Sequence, residues 1–154
     1  MVALTSAMSG AALAEHGKAG EWDISVKNEF PGMPETTPTE REQLLLQGIQ
    51  MPDTRTRHYS YCMTEAEVTS DQPPVLNDRN NCTISNPRIQ GQTFSADLTC
   101  SGQMKGEGNI TLTYDKPEHY AGSARVEGML NRQQMEMISK FEGTWTSATC
   151  DKSD

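Results

Sequence analysis

The sequence lacks the features that indicate several common functions. No apolar stretch approaches the roughly 18 consecutive residues of a transmembrane helix. Basic residues are few: 13 Lys and Arg stand against 21 Asp and Glu, a net charge of −8, which argues against a nucleic-acid binder. No nucleophile-elbow, zinc-protease, P-loop or dinucleotide-binding motif is present. The three histidines, at positions 16, 58 and 119, are far apart, and we therefore expect no enzyme.

The 154 residues fit a single domain preceded by a short apolar segment. The first 14 residues are rich in alanine, and Ala12-Leu13-Ala14 has the small residues that signal peptidase requires at −3 and −1. No Lys or Arg precedes Lys18, so the basic start of a signal peptide is missing. We interpret residues 1–14 as the remnant of a truncated signal peptide and residues 15–154 as one exported, periplasmic domain. The alternative is an ordinary alanine-rich N-terminus.

The four cysteines fit an oxidising compartment. Cys62, Cys82, Cys100 and Cys150 contain no C-x-x-C pair, which argues against zinc or thioredoxin-like chemistry. An even number in an exported chain predicts two disulfides. Three pairings are possible, and the strand register below selects one.

Short elements precede a long β-meander. Alternation of apolar and polar residues predicts a strand at 22–26, and a Pro/Thr loop covers 31–38. Thr39 and Glu42 form a capping box for a helix to about Ile49. The chain then reads as a strand over 54–62, a second capping box at Thr64 and Glu67, a loop over 71–81 and a continuous meander from 82 to 145.

Facing residues of antiparallel strands have a constant sum of positions, so each turn fixes a register. A turn at 90–92 places Cys82 opposite Cys100, within disulfide reach, and leaves Cys62 to pair with Cys150. The same register places Asn86 opposite Ala96, and Pro87 marks a bulge or a free edge. For the three hairpins that follow, the positions of facing residues add up to 204, 234 and 263. All of these registers keep the apolar residues on one face.

That apolar face alternates glycines with large residues, a device that bends a sheet. We predict a mainly β fold, a strongly curled antiparallel meander of about seven strands, half-barrel or barrel-like, with one or two short helices. The helix ending near Ile49 would close one opening of the sheet. The concave face is expected to hold a small apolar ligand or a partner segment through Phe94, Ile110, Leu112, Val126, Met135, Met137, Phe141 and Trp145.

Nine methionines allow a second hypothesis. Thioethers are soft ligands that select Cu(I), and Met104, Met135, Met137 and Met33 are the candidate ligands. The alternative explanation is that methionine fills irregular gaps in a curved core.

A series of short motifs runs from Gly20 to Cys150. They include Gly20-Glu-Trp22, Pro31-Gly-Met-Pro34, Cys62-Met-Thr64, Cys100-Ser-Gly102, the Gly106-x-Gly108 strand and Tyr120-x-Gly122. In order and spacing they resemble the bacterial periplasmic family catalogued as domain of unknown function 3617. The resemblance implies a small exported protein of undefined activity and supplies no catalytic residues.

Three function classes remain from the sequence. The first is a non-enzymatic periplasmic binding module whose concave face holds a small apolar molecule or a segment of an envelope protein. The second is a Cu(I)-binding protein that uses methionines. The third is a structural or interaction domain of the cell envelope that uses its outer face or the loop from Met33 to Met51.

Overall fold

A computed structural model of the chain describes residues 16–70 and 81–151. The predicted signal-peptide remnant, residues 1–14, and most of the predicted loop at 71–81 lie outside these ranges. The described residues form seven strands and two short helices: β1 Gly20–Glu29, α1 Pro38–Leu46, β2 Arg57–Met63, α2 Glu65–Val68, β3 Cys82–Gln90, β4 Thr93–Ser101, β5 Met104–Lys116, β6 His119–Leu130 and β7 Gln133–Ser147. Neither helix in them is long and apolar enough to cross a membrane.

The strands form one antiparallel sheet in the order β2-β1-β7-β6-β5-β4-β3. The sheet is curled and does not close on itself. Strands β3 to β7 are the predicted meander, and β1 and β2 extend it beyond β7. The predicted fold class is therefore confirmed.

Both predicted disulfides are present. Cys82 faces Cys100 in the β3–β4 ladder, and the two are bonded. Cys62 at the end of β2 is bonded to Cys150, which follows β7. The second bond ties the edge strand β2 to the end of the chain across β1.

Most predicted registers are confirmed, and two details are corrected. The β5–β6 and β6–β7 ladders have the predicted sums, for example Ile110 opposite Ala124 and Val126 opposite Met137. In the β4–β5 ladder, however, Leu98 faces Gly108 and not Gly106. This slip of two residues leaves every side chain on its predicted face, because side chains alternate with period two.

The second correction lies at the bulge in β3. The register shifts between Ser85 and Arg88, so Asn86 does not face Ala96. Asn86 has a φ of 51°, and Pro87 beside it carries no N–H for the ladder. The bulge was expected at Pro87, and β3 is an edge strand of the sheet.

Helix α1 begins two residues earlier than predicted. Its capping box is formed by Thr37 and Glu40, whose carboxylate accepts a 2.7 Å hydrogen bond from the Thr37 N–H. Pro38 then takes the first helical position, where its fixed φ is favourable. The helix ends at Leu46 and not near Ile49, because Gly48, at a φ of 78°, reverses the chain.

Candidate functional site

The concave face of the sheet is covered by the protein's own side chains. Phe94, Ile110, Leu112 and Val126 are each at most 2% exposed. Met137 and Phe141 are also buried, whereas Met135 and Trp145 are partly buried and pack against this core. All eight residues predicted to form the apolar face therefore lie on or against one core. Their contact with a ligand stays a prediction.

Residues 16–19 cover one end of this core. The N–H of His16 donates to the carbonyl of Val68 in α2, at 2.8 Å. The two indoles donate to the same short segment: Trp22 Nε1 to the carbonyl of Lys18 at 2.8 Å, and Trp145 Nε1 to that of Ala19 at 3.0 Å. Three hydrogen bonds thereby fix this segment, one to α2 and two to the sheet.

A groove opens at the opposite end, where the β6–β7 turn meets the connection between β1 and β2. Its volume is about 1200 Å³. It is lined by Pro31, Gly32, Met33, Pro34, Thr36, Leu44, Gly48, Ile49, Gln50, Met51, Pro52, Glu127, Leu130, Asn131, Arg132, Gln133, Gln134, Met135 and Glu136. One hydrogen bond joins its two walls, from Asn131 Nδ2 to the carbonyl of Gln50 at 3.3 Å.

Helix α1 contributes to a wall of the groove and not to the core. It has no buried residue, so it does not close the sheet as the sequence suggested. Leu44 lines the groove, while Leu45 and Leu46 are 63% and 83% exposed. Ile49, just beyond the helix, is 46% exposed and also lines the groove. The groove wall is therefore an exposed apolar surface.

The four predicted copper ligands have different surroundings. Met104 and Met137 are buried in the core, 1% and 6% exposed. Met33 and Met135 line the groove, together with Met51, which like Met33 precedes a proline. Among residues 16–70 and 81–151, no three His, Cys, Asp or Glu side chains are grouped as metal ligands.

A charged cluster that the sequence analysis missed surrounds His119, the first residue of β6. Its Nδ1 lies 2.5 Å from Asp115 Oδ1, and its Nε2 lies 2.8 Å from Glu142 Oε1 on β7. Hydrogen bonds to these two carboxylates raise the pKa of His119. The bond to His119 in turn lowers the pKa of Asp115. The β6–β7 register places Glu142 diagonally from His119, so the predicted sum of 263 could have identified this contact.

Aromatic rings pack together in the part of the core that residues 16–19 cover. Tyr120 lies 5.4 Å from both Trp22 and Tyr114, measured between ring centroids. The ring of His16 approaches Tyr114 at 6.0 Å and Phe94 at 5.7 Å. Burial raises the pKa of Tyr114 and of Tyr120. His16 is only 2% exposed.

Comparison with known protein families identifies a match. The model of a family described as "Protein of unknown function (DUF3617)" matches residues 17–150. No curated protein and no solved structure matches the chain. The match covers all seven strands, both disulfides and the groove.

Proposed function

The chain belongs to the DUF3617 family, whose function is unknown, and from its geometry we propose that it is an exported, non-enzymatic binding module of the periplasm. Its binding site is the groove between the β6–β7 turn and residues 31–52. The ligand is an apolar segment of a partner polypeptide. The observation that carries this proposal is a large groove whose apolar lining is exposed to solvent.

The size of the groove favours an elongated ligand. Sites for small molecules typically enclose about 300–1000 Å³, whereas this groove measures about 1200 Å³. Methionine is frequent at surfaces that adapt to peptides because its side chain is flexible, and Met33, Met51 and Met135 all line the groove. An apolar segment would remove these side chains from water.

Side-chain amides in the lining suit a polypeptide in particular. Gln50, Asn131, Gln133 and Gln134 line the groove. Each carboxamide has both donors and an acceptor, and an extended backbone presents both kinds of group. A purely apolar small molecule would leave these groups without a partner in the ligand.

The two disulfides support export, since such bonds persist in oxidising compartments. The Ala12-Leu13-Ala14 sequence supports the same conclusion through the specificity of signal peptidase.

The proposal is tested by selecting peptides on the immobilised protein from a displayed random library and measuring their affinity by calorimetry. The diagnostic variant is Ile49→Gln, and the matched control is Ile89→Gln on β3. The two isoleucines are 46% and 41% exposed, and only Ile49 lines the groove. Burial of a whole Ile side chain contributes roughly 1.5–3 kcal/mol. Because Ile49 is only 46% exposed before binding, I49Q should weaken binding about three- to tenfold. I89Q should leave it unchanged.

Selected peptides that bind the two variants equally well would overturn the groove as the binding site. The fluorescent probe N-phenyl-1-naphthylamine tests the small-molecule alternative that the sequence left open. Binding of this probe that depends on Ile49, with no peptide selected, would replace the polypeptide ligand by a small apolar one.

Cu(I) binding is a second candidate, now favoured by a different set of residues. Met33, Met51 and Met135 line one groove, and three thioethers suit a soft cation. Competition against a colorimetric Cu(I) chelator tests this candidate. Met51→Gln should abolish transfer of the metal, whereas Met129→Gln, at a site 41% exposed outside the groove, should not. Failure of the unaltered protein to take Cu(I) from the chelator eliminates the candidate.

A further inference from the structure

The imidazole of His119 bridges two carboxylates from different elements. Asp115 stands at the bulge near the end of β5, and Glu142 lies on β7. A carboxylate ion can only accept hydrogen bonds, and a neutral imidazole carries a single N–H. Both contacts, at 2.5 Å and 2.8 Å, are therefore hydrogen bonds at the same time only when the ring carries two protons.

The turn that His119 closes is also attached to β7 and to the N-terminal segment. Glu118 immediately precedes His119, and its carbonyl accepts a 2.8 Å hydrogen bond from the Trp145 N–H. Its carboxylate pairs with Lys18 Nζ at 3.0 Å. Lys18 Nζ also lies 4.2 Å from the centroid of the Trp145 ring. Lys18 thus links residues 16–19 to this turn.

We propose that Asp115, His119 and Glu142 form a proton-operated clamp, which holds the 115–118 turn on β7 and keeps residues 16–19 over the core while His119 is doubly protonated. Loss of one proton removes one of the two hydrogen bonds and directs a ring lone pair at a carboxylate. The turn then depends more on its backbone hydrogen bond from Trp145, and the Lys18 contact with Glu118 weakens as the turn loosens.

The charged groups around His119 favour its protonated form. Asp115 and Glu142 contact the ring, and Lys116 is the ladder partner of His119. Glu118 is the preceding residue, and Lys18 of the N-terminal segment pairs with it. Lys18 engages Glu118, and the two carboxylates in contact with the ring act on His119 directly. They raise its pKa above the usual value.

The sign of the pH dependence follows from this raised pKa. The clamp contributes its full stabilisation below the pKa of an unfolded histidine, about 6.5, and loses it as pH rises through the pKa of the folded state. On the acid side it persists until the carboxylates are protonated, and the pKa of Asp115 is itself lowered. The clamp is therefore closed in mild acid and opens with rising pH.

The two indole N–H groups report directly on residues 16–19, because they donate to the carbonyls of Lys18 and Ala19. Their hydrogen exchange is measured by NMR from pH 5.5 to 8.5 in the full chain, together with the ring signals of the three histidines. The variants are His119→Gln, Glu142→Gln and the control His58→Gln, at an exposed residue of β2. At each pH, the indole exchange rate of each protein is divided by the rate of H119Q. This ratio cancels the pH dependence of the exchange chemistry itself.

The two indole N–H groups should lose their protection from exchange at the pH that is the midpoint of the His119 titration. Relative exchange should rise by about two- to tenfold, the range that the loss of one hydrogen bond corresponds to. H58Q should behave as the unaltered protein, and E142Q should lower the midpoint of His119. The proposal is overturned by indole exchange that does not follow the His119 midpoint, or by a midpoint that E142Q leaves unmoved.

Discussion

The ring of Tyr120 on β6 lies over Gly143, the residue that faces it on β7. A Cβ at position 143 would overlap the ring carbons Cε1 and Cζ. Phe141 covers Gly122 in the same ladder, where a Cβ would lie 2.5 Å from Cε2 of the ring. Each aromatic ring thus fills the space that a side chain on the neighbouring strand would need, and this pairing allows the sheet to curl around a filled core.

Gly143→Ala should destabilise the protein by about 1–3 kcal/mol, the usual cost of overpacking a core. The added methyl group would force the Tyr120 ring away from its position against Trp22 and Tyr114. Urea denaturation measures the change in the free energy of unfolding. The control is Thr144→Ala, at the next and exposed position of β7, which should remain within about 0.5 kcal/mol of the unaltered protein.

Gly108→Ala provides a second comparison, because a Cβ there would meet the carbonyl oxygen of Arg125 on β6. Backbone atoms move less readily than a ring, so G108A should cost more than G143A. Equal stability of G143A and T144A would contradict the role assigned to the Tyr120 ring.

Tyr120→Phe should leave the stability unchanged or increase it. The hydroxyl groups of Tyr120 and Tyr114 are buried and have no hydrogen-bond partner among the described residues. A buried hydroxyl without a partner costs about 1–3 kcal/mol, and the Phe ring removes that cost while it still covers Gly143. Thermal unfolding at neutral pH measures the effect. A marked loss of stability in Y120F would show that the hydroxyl has a partner in solution.

Alkaline pH provides an independent measurement of the same burial. The folded state raises the pKa of Tyr114 and Tyr120 above the usual value. Their stabilising contribution is complete below the unfolded tyrosine pKa of about 10 and is lost as pH rises beyond it. The tyrosinate absorbance of these two residues should therefore appear together with the loss of structure and not before it. Y120F should retain its structure to higher pH than the unaltered chain.

Strand faces could be predicted from the sequence, and exact registers only in part. Side chains alternate with period two, so the hydrophobic pattern identifies the buried face but cannot distinguish a slip of two residues. That is why Leu98 was placed opposite Gly106 although it faces Gly108. In α1, both Thr37 and Thr39 stand three residues before a Glu. Pro38 was the signal that favoured Thr37, because Pro is common at the first helical position.

The groove could not be predicted because it depends on long-range packing. One wall comes from residues 31–52 and the other from the β6–β7 turn and its neighbours. No local pattern predicts that these two segments meet. The apolar face, by contrast, follows from the alternation of side chains along strands that are neighbours in the sequence. Its residues do belong to or pack against one core.

Removal of the two disulfides should have unequal effects. The chain-entropy relation gives about 3 kcal/mol for a loop of the Cys82–Cys100 size, with a separation of 18 residues. It gives about 4.5 kcal/mol for Cys62–Cys150, with a separation of 88 residues. The double variant Cys62→Ser/Cys150→Ser should therefore unfold at a lower urea concentration than Cys82→Ser/Cys100→Ser. The opposite order would indicate that strain or residual unfolded structure outweighs loop length.

Arg132→Gly should stabilise the β6–β7 hairpin. Asn131 and Arg132 form its two-residue turn and have φ values of 50° and 67°. Asn-Gly is the preferred pair for such a turn, because glycine adopts a positive φ without a steric penalty. A non-glycine residue in the left-handed conformation costs about 1–2 kcal/mol, which the substitution would remove. The greater freedom of glycine in the unfolded chain offsets part of this gain.

The control for this substitution is Arg132→Ala, which removes the same charge but keeps a Cβ at the strained position. R132G should raise the melting temperature, whereas R132A should not. A rise of similar size in both variants would attribute the gain to the lost guanidinium group beside the groove and not to the backbone. Because Arg132 also lines the groove, affinity for the selected peptides is measured in both variants. An equal affinity in the two would show that the turn conformation itself does not control binding.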